Sequence, residues 1–417
     1  MSEPIDALIC PRWTITIEPR VTVDEGLAVA IDGGRIKAIM PQAEARARFQ
    51  PHALHERADH VLMPGLVNAH CHAGMTLFRG YADDLPLERW LKERIWPAES
   101  RWVSAESVRD GTRLAIVEML RAGTTCFADM YYFPDVVAQT AVDAGMRVAV
   151  GMIAIELPTV WASTVDEYIA KGLATRDRFK GVPLVSTTFA PHAPYTTSDS
   201  TLRRIRQLAD ELDVPIHTHL HETRAEVEEA VRNTGRRPLA RLEQLGMLTP
   251  ALLGVHATQL LDGEIEALAN AGASIVHCPR SNLKLASGVC RVAALLDAGV
   301  NVALGTDGAA SNNRLDLWSE LDAAALLGKR VADDATAISA PTALRMATIN
   351  GARALGLERE IGSIEPGKAA DLICVSLRDA ALQPVLDPLS HLVYAASREH
   401  VSDVWVAGEH LVADVQS

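Results

Sequence analysis

The sequence predicts an α/β fold, a TIM-type (β/α)8 barrel carrying a small β-sandwich domain built from both chain termini. Three observations predict it. Between residues 61 and 360, apolar runs of β type alternate with amphipathic helical stretches. Residues 1–60 and 361–417 instead carry short alternating strands around turns. Histidines and acids gather where the apolar runs of the middle region end, and a barrel places its chemistry at the C-terminal ends of its strands.

The N-terminal strands are expected at 13–17, 26–31 and 35–39, with Asp32-Gly33-Gly34 as the tight turn between the last two. The C-terminal part repeats the style at 370–375, 401–406 and 410–413, around Ala407-Gly408-Glu409. One small sheet domain from both ends is the economical arrangement. Barrel strands are expected at 62–70, 124–130, 147–153, 184–190, 215–220, 252–257, 273–277 and 301–305. A length of 417 residues suits one such barrel of about 250 residues plus an appendage.

Hydrophobic residues make up 48% and charged residues 22%, the composition of an ordinary globular enzyme. The net charge of −13 opposes nucleic acid and acidic membrane surfaces as partners, leaving a small molecule, and it allows a homo-oligomer. The opening MSEPIDALIC lacks the basic start and apolar core of a signal peptide, and no run of about 18 apolar residues occurs, so the expected location is the cytoplasm. The six cysteines are scattered singly, which fits reduced, buried thiols.

The first barrel strand runs into Pro64-Gly65-Leu66-Val67-Asn68-Ala69-His70-Cys71-His72. Residues two apart on a strand share a face about 6.6 Å apart, so His70 and His72 can reach one metal ion, while Cys71 points away. Strand four leads to His192, and strand five carries His217, His219, His221 and then Glu222. Strand six ends in His256, strand seven in His277, and strand eight in Asp307. A bare buried carboxylate is costly and metal ligation would offset that cost; Asp307 alone could instead cap the next helix, but joined to the histidines it reads as a metal ligand.

Spacing does not say which strand-five histidine binds metal; His219 is favoured because it stands nearer the strand end. Glu222 is placed to shuttle protons, or else to sit at a helix N-terminus and meet its dipole. His192, His256 and His277, each taken alone, read more readily as structural. Strand four offers no lysine for a second metal, so one ion is expected. The segment 83–99 after strand one reads as a lid helix over the barrel mouth with Trp90 and Trp96, though Trp96 could pack on the wall. Glu99 faces either solvent or substrate.

PGLVNAHCH, the HxxE of His219 and Glu222, HCPRSNLKLASG at 277–288, GTDGAASNN at 305–313 and EPGKAADL at 365–372 resemble the amidohydrolase superfamily. Within it the chain is similar, over nearly its whole length, to the 5-methylthioadenosine/S-adenosylhomocysteine deaminases. That resemblance implies that His70, His72, His219 and Asp307 hold one divalent ion, usually zinc, which settles strand five for His219. It also implies that Glu222, His256 and Asp307 are catalytic and that Trp90, Glu99 and His192 join Glu222 and Asp307 in contacting a purine nucleoside. In the implied reaction Asp307 and His256 orient water and take its proton, while Glu222 protonates the ring nitrogen beside C6 and helps ammonia leave.

Members that accept S-adenosylhomocysteine are expected to hold its carboxylate with arginines after strand three. Here that region reads Val150-Gly-Met152-Ile-Ala-Ile-Glu156, without an arginine. An apolar, slightly acidic pocket around Met152 favours the methylthio compound. The alternatives on the same metal shell are deamination of guanine, cytosine or a pterin, and triazine hydrolysis. A remoter one is a barrel without catalysis that acts in binding or assembly.

Overall fold

The computed structural model describes residues 2–413. Eight parallel strands form the barrel sheet in sequence order: Leu66–Cys71, Thr124–Asp129, Arg147–Ala154, Val185–Pro191, Ile216–Leu220, Leu252–His256, Ser274–His277 and Asn301–Leu304. Six of these strands are buried along their whole length, as expected of a parallel sheet covered by helices on its outer face. The seam between the eighth strand and the first is bridged by Asn68. Its side-chain oxygen accepts from the Thr306 amide at 3.0 Å, and its Nδ2 donates to Thr306 Oγ1 at 2.8 Å. Just above, the Asp307 amide donates to the His70 carbonyl at 3.0 Å.

The second sheet is mixed and also has eight strands. Its order is Glu409–Val412, Val401–Val406, Leu372–Ser376, Phe49–Pro64, Glu3–Ile15, Leu27–Asp32 and Arg35–Pro41, with Val23–Glu25 paired to Glu3–Ile15. Both termini therefore contribute to one sheet. The long strand Phe49–Pro64 pairs parallel with Glu3–Ile15 and antiparallel with Leu372–Ser376. Its first part is polar and alternates in exposure, the pattern of a strand with one solvated face.

The strand expected at 62–70 is in fact two strands divided at Gly65. A Cβ there would lie 2.2 Å from Thr125 Oγ1, so only glycine lets the chain pass from one sheet to the other at this point. The two sheets are tied together by Arg147 of the third barrel strand. It makes two 2.9 Å bonds to the Asp371 carboxylate, and both side chains are buried. The same carboxylate accepts from the Ala407 amide at 2.8 Å.

The lid segment forms three short helical pieces, Leu87–Arg89, Trp90–Ile95 and Trp96–Trp102. The middle piece has π geometry, and Pro97, which lacks an amide proton, opens the last one. No helix among the described residues is long and apolar enough to cross a membrane.

Candidate active site

Alternation along the first barrel strand turns His70 inward, and His72 follows just past its end, with ring centroids 4.7 Å apart. His219 faces them from the fifth strand, 5.0 Å from the His70 ring and 5.5 Å from the His72 ring. One nitrogen from each of the three rings lies within 4.8 Å of the others. Asp307 Oδ1 is 3.1 Å from His72 Nε2 and 3.5 Å from His70 Nε2.

These groups fit a divalent cation, because every Nδ1 is already engaged. His72 Nδ1 meets the Met130 carbonyl at 2.6 Å and His219 Nδ1 the His192 carbonyl at 2.7 Å. A carbonyl only accepts, so Nδ1 carries the proton in both rings and Nε2 presents a lone pair to the centre. His70 Nδ1 pairs with His217 Nε2 at 2.9 Å, while its own Nε2 is buried with no hydrogen-bond partner among the described residues. Burial pushes His70 down to about 4 and His219 well below the usual imidazole range, so both rings are neutral at pH 7.

Burial would raise the Asp307 carboxyl, yet His70 and His72 beside it hold it well below the usual carboxylate range. Ser281 Oγ and Ser311 Oγ donate to its Oδ2 at 2.6 and 2.7 Å. Asp307, His221 and His256 all take positive φ, at 59°, 52° and 77°. Left-handed backbone at non-glycine residues is costly, and here it falls at the ends of strands eight, five and six, around one centre.

Glu222 lies just beyond strand five. Its Oε2 is 3.7 Å from His256 Nε2, and Ser287 Oγ donates to its Oε1 at 3.2 Å. Burial, then the Asp307 charge, raises its carboxyl well above the ordinary value, the direction that favours a group able to give up a proton. His256 is held at Nδ1 by the Asn282 side-chain amide at 2.9 Å and is pushed down to about 3 by burial.

One cavity is lined by His72, His219, Glu222, His256 and Asp307 on one side. Trp90, Trp96, Glu99 and His192 line it as well, so the structure gathers the candidates from the lid and from strands one, four, five, six and eight. Glu99 is buried, and Tyr131 Oη donates to its Oε1 at 2.8 Å, with Tyr132 Oη at 3.5 Å from Oε2. Sequence reasoning missed both tyrosines, although the Met130-Tyr-Tyr-Phe run directly after strand two was a visible signal. No lysine or arginine lines this cavity among the described residues.

The other strand-end histidines are structural in their contacts. His221 Nε2 accepts from the Leu239 amide at 3.0 Å and so clips the start of the helix Pro238–Gln244. His217 backs His70 from below, and His277 is buried, its Nδ1 unpaired among the described residues.

The expected tail pocket around Met152 needs correction. Met152 points away from the cavity toward the helix Val165–Arg178, where a Cβ on Gly172 would meet its Cβ at 2.9 Å; its neighbour Ile153 lines the cavity instead. Alternation along the strand explains the exchange. The Glu156 carboxylate is likewise spent elsewhere, accepting from the Ser198 amide at 2.9 Å and Thr201 Oγ1 at 2.6 Å at the start of the helix Asp199–Leu212.

The Amidohydrolase family model matches residues 61–411. The chain belongs to the amidohydrolase family. It is 51% identical to a 5-methylthioadenosine/S-adenosylhomocysteine deaminase of Teredinibacter turnerae, over 98% of this chain and 92% of that one. Among solved structures, an adenosine deaminase from Xanthomonas campestris with bound zinc superposes with a TM-score of 0.98 at 53% identity, covering 99% of this chain and 94% of the other. An atrazine chlorohydrolase from Arthrobacter aurescens complexed with zinc reaches 0.91 at 25% identity, covering 99% and 97%. This amidohydrolase is a hydrolase acting on carbon–nitrogen bonds.

Proposed function

We propose that the protein is a metal-dependent aminohydrolase that converts an adenosine-type nucleoside, 5'-methylthioadenosine first among them, to its inosine analogue and ammonia. The observation that carries this reading is the placement of a buried Glu222, its carboxyl raised above the ordinary value by burial, in the same cavity as Asp307 and the convergent imidazoles of His70, His72 and His219. His70, His72, His219 and Asp307 would hold the ion, zinc being the metal bound in the similar solved proteins. A divalent cation there makes a bound water more acidic and so a better nucleophile at neutral pH.

The protein's own groups supply the remainder. Asp307 and His256 orient the water and take its proton as its oxygen adds to C6 of the purine. Glu222 gives its proton to the adjacent ring nitrogen, so the ring gains no net charge during addition. The proton taken from water then goes to the departing amino group, which leaves as ammonia, and the C6 hydroxyl gives its remaining proton to Glu222 as the carbonyl of the inosine-type product forms, which restores the acid. Glu99, fixed by Tyr131, accepts from the ribose hydroxyls, and Trp90 and Trp96 cover the nucleoside and exclude bulk water.

The methylthio compound is favoured because the cavity has an apolar side of Met75, Leu87, Leu91, Met130 and Ile153 and, among the described residues, no Lys or Arg lining it to meet an amino-acid carboxylate. In the adjoining groove, which Arg236 also lines, Lys92 pairs with Glu88 at 2.7 Å and Arg241 with Asp199 at 2.7 Å.

The test is ammonia release by zinc-loaded protein from adenosine, 5'-methylthioadenosine, S-adenosylhomocysteine, guanine, cytosine and a triazine, with and without chelator. Chelator-sensitive release from the adenosine compounds is expected, with the highest kcat/KM for 5'-methylthioadenosine. Release from none of them refutes the reading.

A further inference from the structure

Glu222 stands on a turn that the chain does not favour by itself. His221 before it has a left-handed φ of 52°, and Thr223 after it is the N-cap of the helix Arg224–Thr234. The helix opens with Thr223 and Glu226, a capping box in which Thr223 Oγ1 accepts from the Glu226 amide at 3.1 Å. In such a box the N3 carboxylate normally returns to the N-cap amide. That ordinary arrangement occurs elsewhere in this chain, where the Leu261 amide donates to Glu264 Oε2 at 2.9 Å on the surface.

At Glu226 the geometry is displaced by one residue. Its Oε2 lies 3.5 Å from the N-cap amide of Thr223 but accepts from the amide of Glu222 itself at 2.8 Å. The side chain is also buried, and its Oε1 has no partner among the described residues. An exposed capping carboxylate would keep its hydration; this one gives it up to reach the backbone of the acid next to the reacting centre. On the other side of the peptide, Thr258 Oγ1 donates to the Glu222 carbonyl at 2.7 Å, and the Thr258 amide to the His221 carbonyl at 3.0 Å.

We propose that Glu226 is a positioning residue for the reaction: it anchors the backbone amide of Glu222 and thereby aims the Glu222 carboxyl at the substrate ring, opposite the anchor that Thr258 provides. This rests on the proton-transfer role of Glu222 given above. The proton Glu222 transfers must travel within hydrogen-bond reach, and an error of about 1 Å in such a group costs roughly 100-fold in rate. Glu226 itself touches neither substrate nor metal ligands.

The experiment uses the full zinc-loaded chain and three variants. Glu226→Gln retains an acceptor at the same reach, Glu226→Ala removes it, and Glu226→Asp draws it back by one methylene. For the Ala and Asp variants kcat on 5'-methylthioadenosine should fall about 10- to 100-fold with KM within about twofold and zinc content unchanged, while Gln restores kcat to within about threefold. In parallel, hydrogen exchange at the Glu222 amide should quicken at least about tenfold in the Ala and Asp variants but not in Gln.

Exchange is read without any substrate, so it still tests the anchor if the wild-type protein deaminates nothing; that outcome refutes the functional reading alone. An unchanged exchange rate in Glu226→Asp overturns the proposal. Equal kcat losses in the Gln and Asp variants also overturn it, because an acceptor kept at the original reach would then make no difference. Should the Ala variant not fold, the Gln and Asp pair decides by itself.

Discussion

Tyr131 donates its hydroxyl to Glu99 Oε1 at 2.8 Å, and this bond joins the helical segment over the barrel mouth to the loop after the second strand. Burial pushes the Glu99 carboxyl up to about 7, while the two tyrosine hydroxyls pull the other way. Glu99 therefore changes charge within the physiological pH range, where an ionised carboxylate is the stronger acceptor for ribose hydroxyls. KM for 5'-methylthioadenosine should fall as pH rises from 6 to 8. Glu99→Ala should raise KM about 100-fold for nucleosides and leave a free base almost unaffected, and Tyr131→Phe should raise it about tenfold, as read from steady-state kinetics.

Glu222→Gln keeps the shape of the side chain and removes its transferable proton. Its kcat should fall at least about 1000-fold, whereas zinc content, measured by elemental analysis, should match the wild type. Loss of metal from this variant would show that Glu222 supports the ligand shell instead.

The four groups proposed to hold the ion come from strands one, five and eight, so a bound cation ties distant parts of the barrel together. At free zinc about 1000 times its Kd, binding adds about 4 kcal/mol of stability. Chelation should abolish ammonia release and lower Tm by several degrees, and zinc should restore both. His219→Ala should already have the lower Tm and show no response to chelator.

Met152→Arg should not improve turnover of S-adenosylhomocysteine, because Met152 packs against Gly172 and its helix rather than facing the cavity. Forcing a guanidinium into that contact buries an unpaired charge. The expected outcome is a Tm lowered by at least about 5 °C or insoluble protein, with the substrate ratio unchanged in whatever folds.

His60, in the sheet built from both termini, is buried, and its Nδ1 has no partner among the described residues. Burial lowers its pKa from 6.5 to about 4. The unfolded chain thus binds this proton more tightly than the folded one, so the stability is present above pH 6.5 and is lost as pH falls toward 4. Between pH 7 and 5 the loss amounts to about 2 kcal/mol. Denaturant titrations of His60→Leu should show a flatter pH dependence over that interval than the wild type.

Much of the barrel is legible in the chain because each strand is a short apolar run and each must be buried on both faces. The strand Phe49–Pro64 is not legible, since Gln50, His52, His55, Glu56 and Arg57 give it a polar surface and its pairing partners lie at both ends of the chain. The passage between the two sheets at Gly65 also escapes a local reading. It depends on Thr125, sixty residues away, standing where a side chain would be.

By itself the sequence determined which residues could do the chemistry. Period-two spacing puts His70 with His72 and His217 with His219, and the order of apolar runs brings Glu222, His256 and Asp307 to the same end of a barrel. Tertiary structure alone decided which atoms of those residues are available. The carbonyls of Met130 and His192 and the ring of His217 occupy every Nδ1 and leave the Nε2 lone pairs to the centre. It alone also exchanged Met152 for Ile153 at the cavity wall and set Tyr131 against Glu99. The reason is that spacing along a strand specifies a face, whereas proton positions and cavity walls depend on partners supplied from distant parts of the chain.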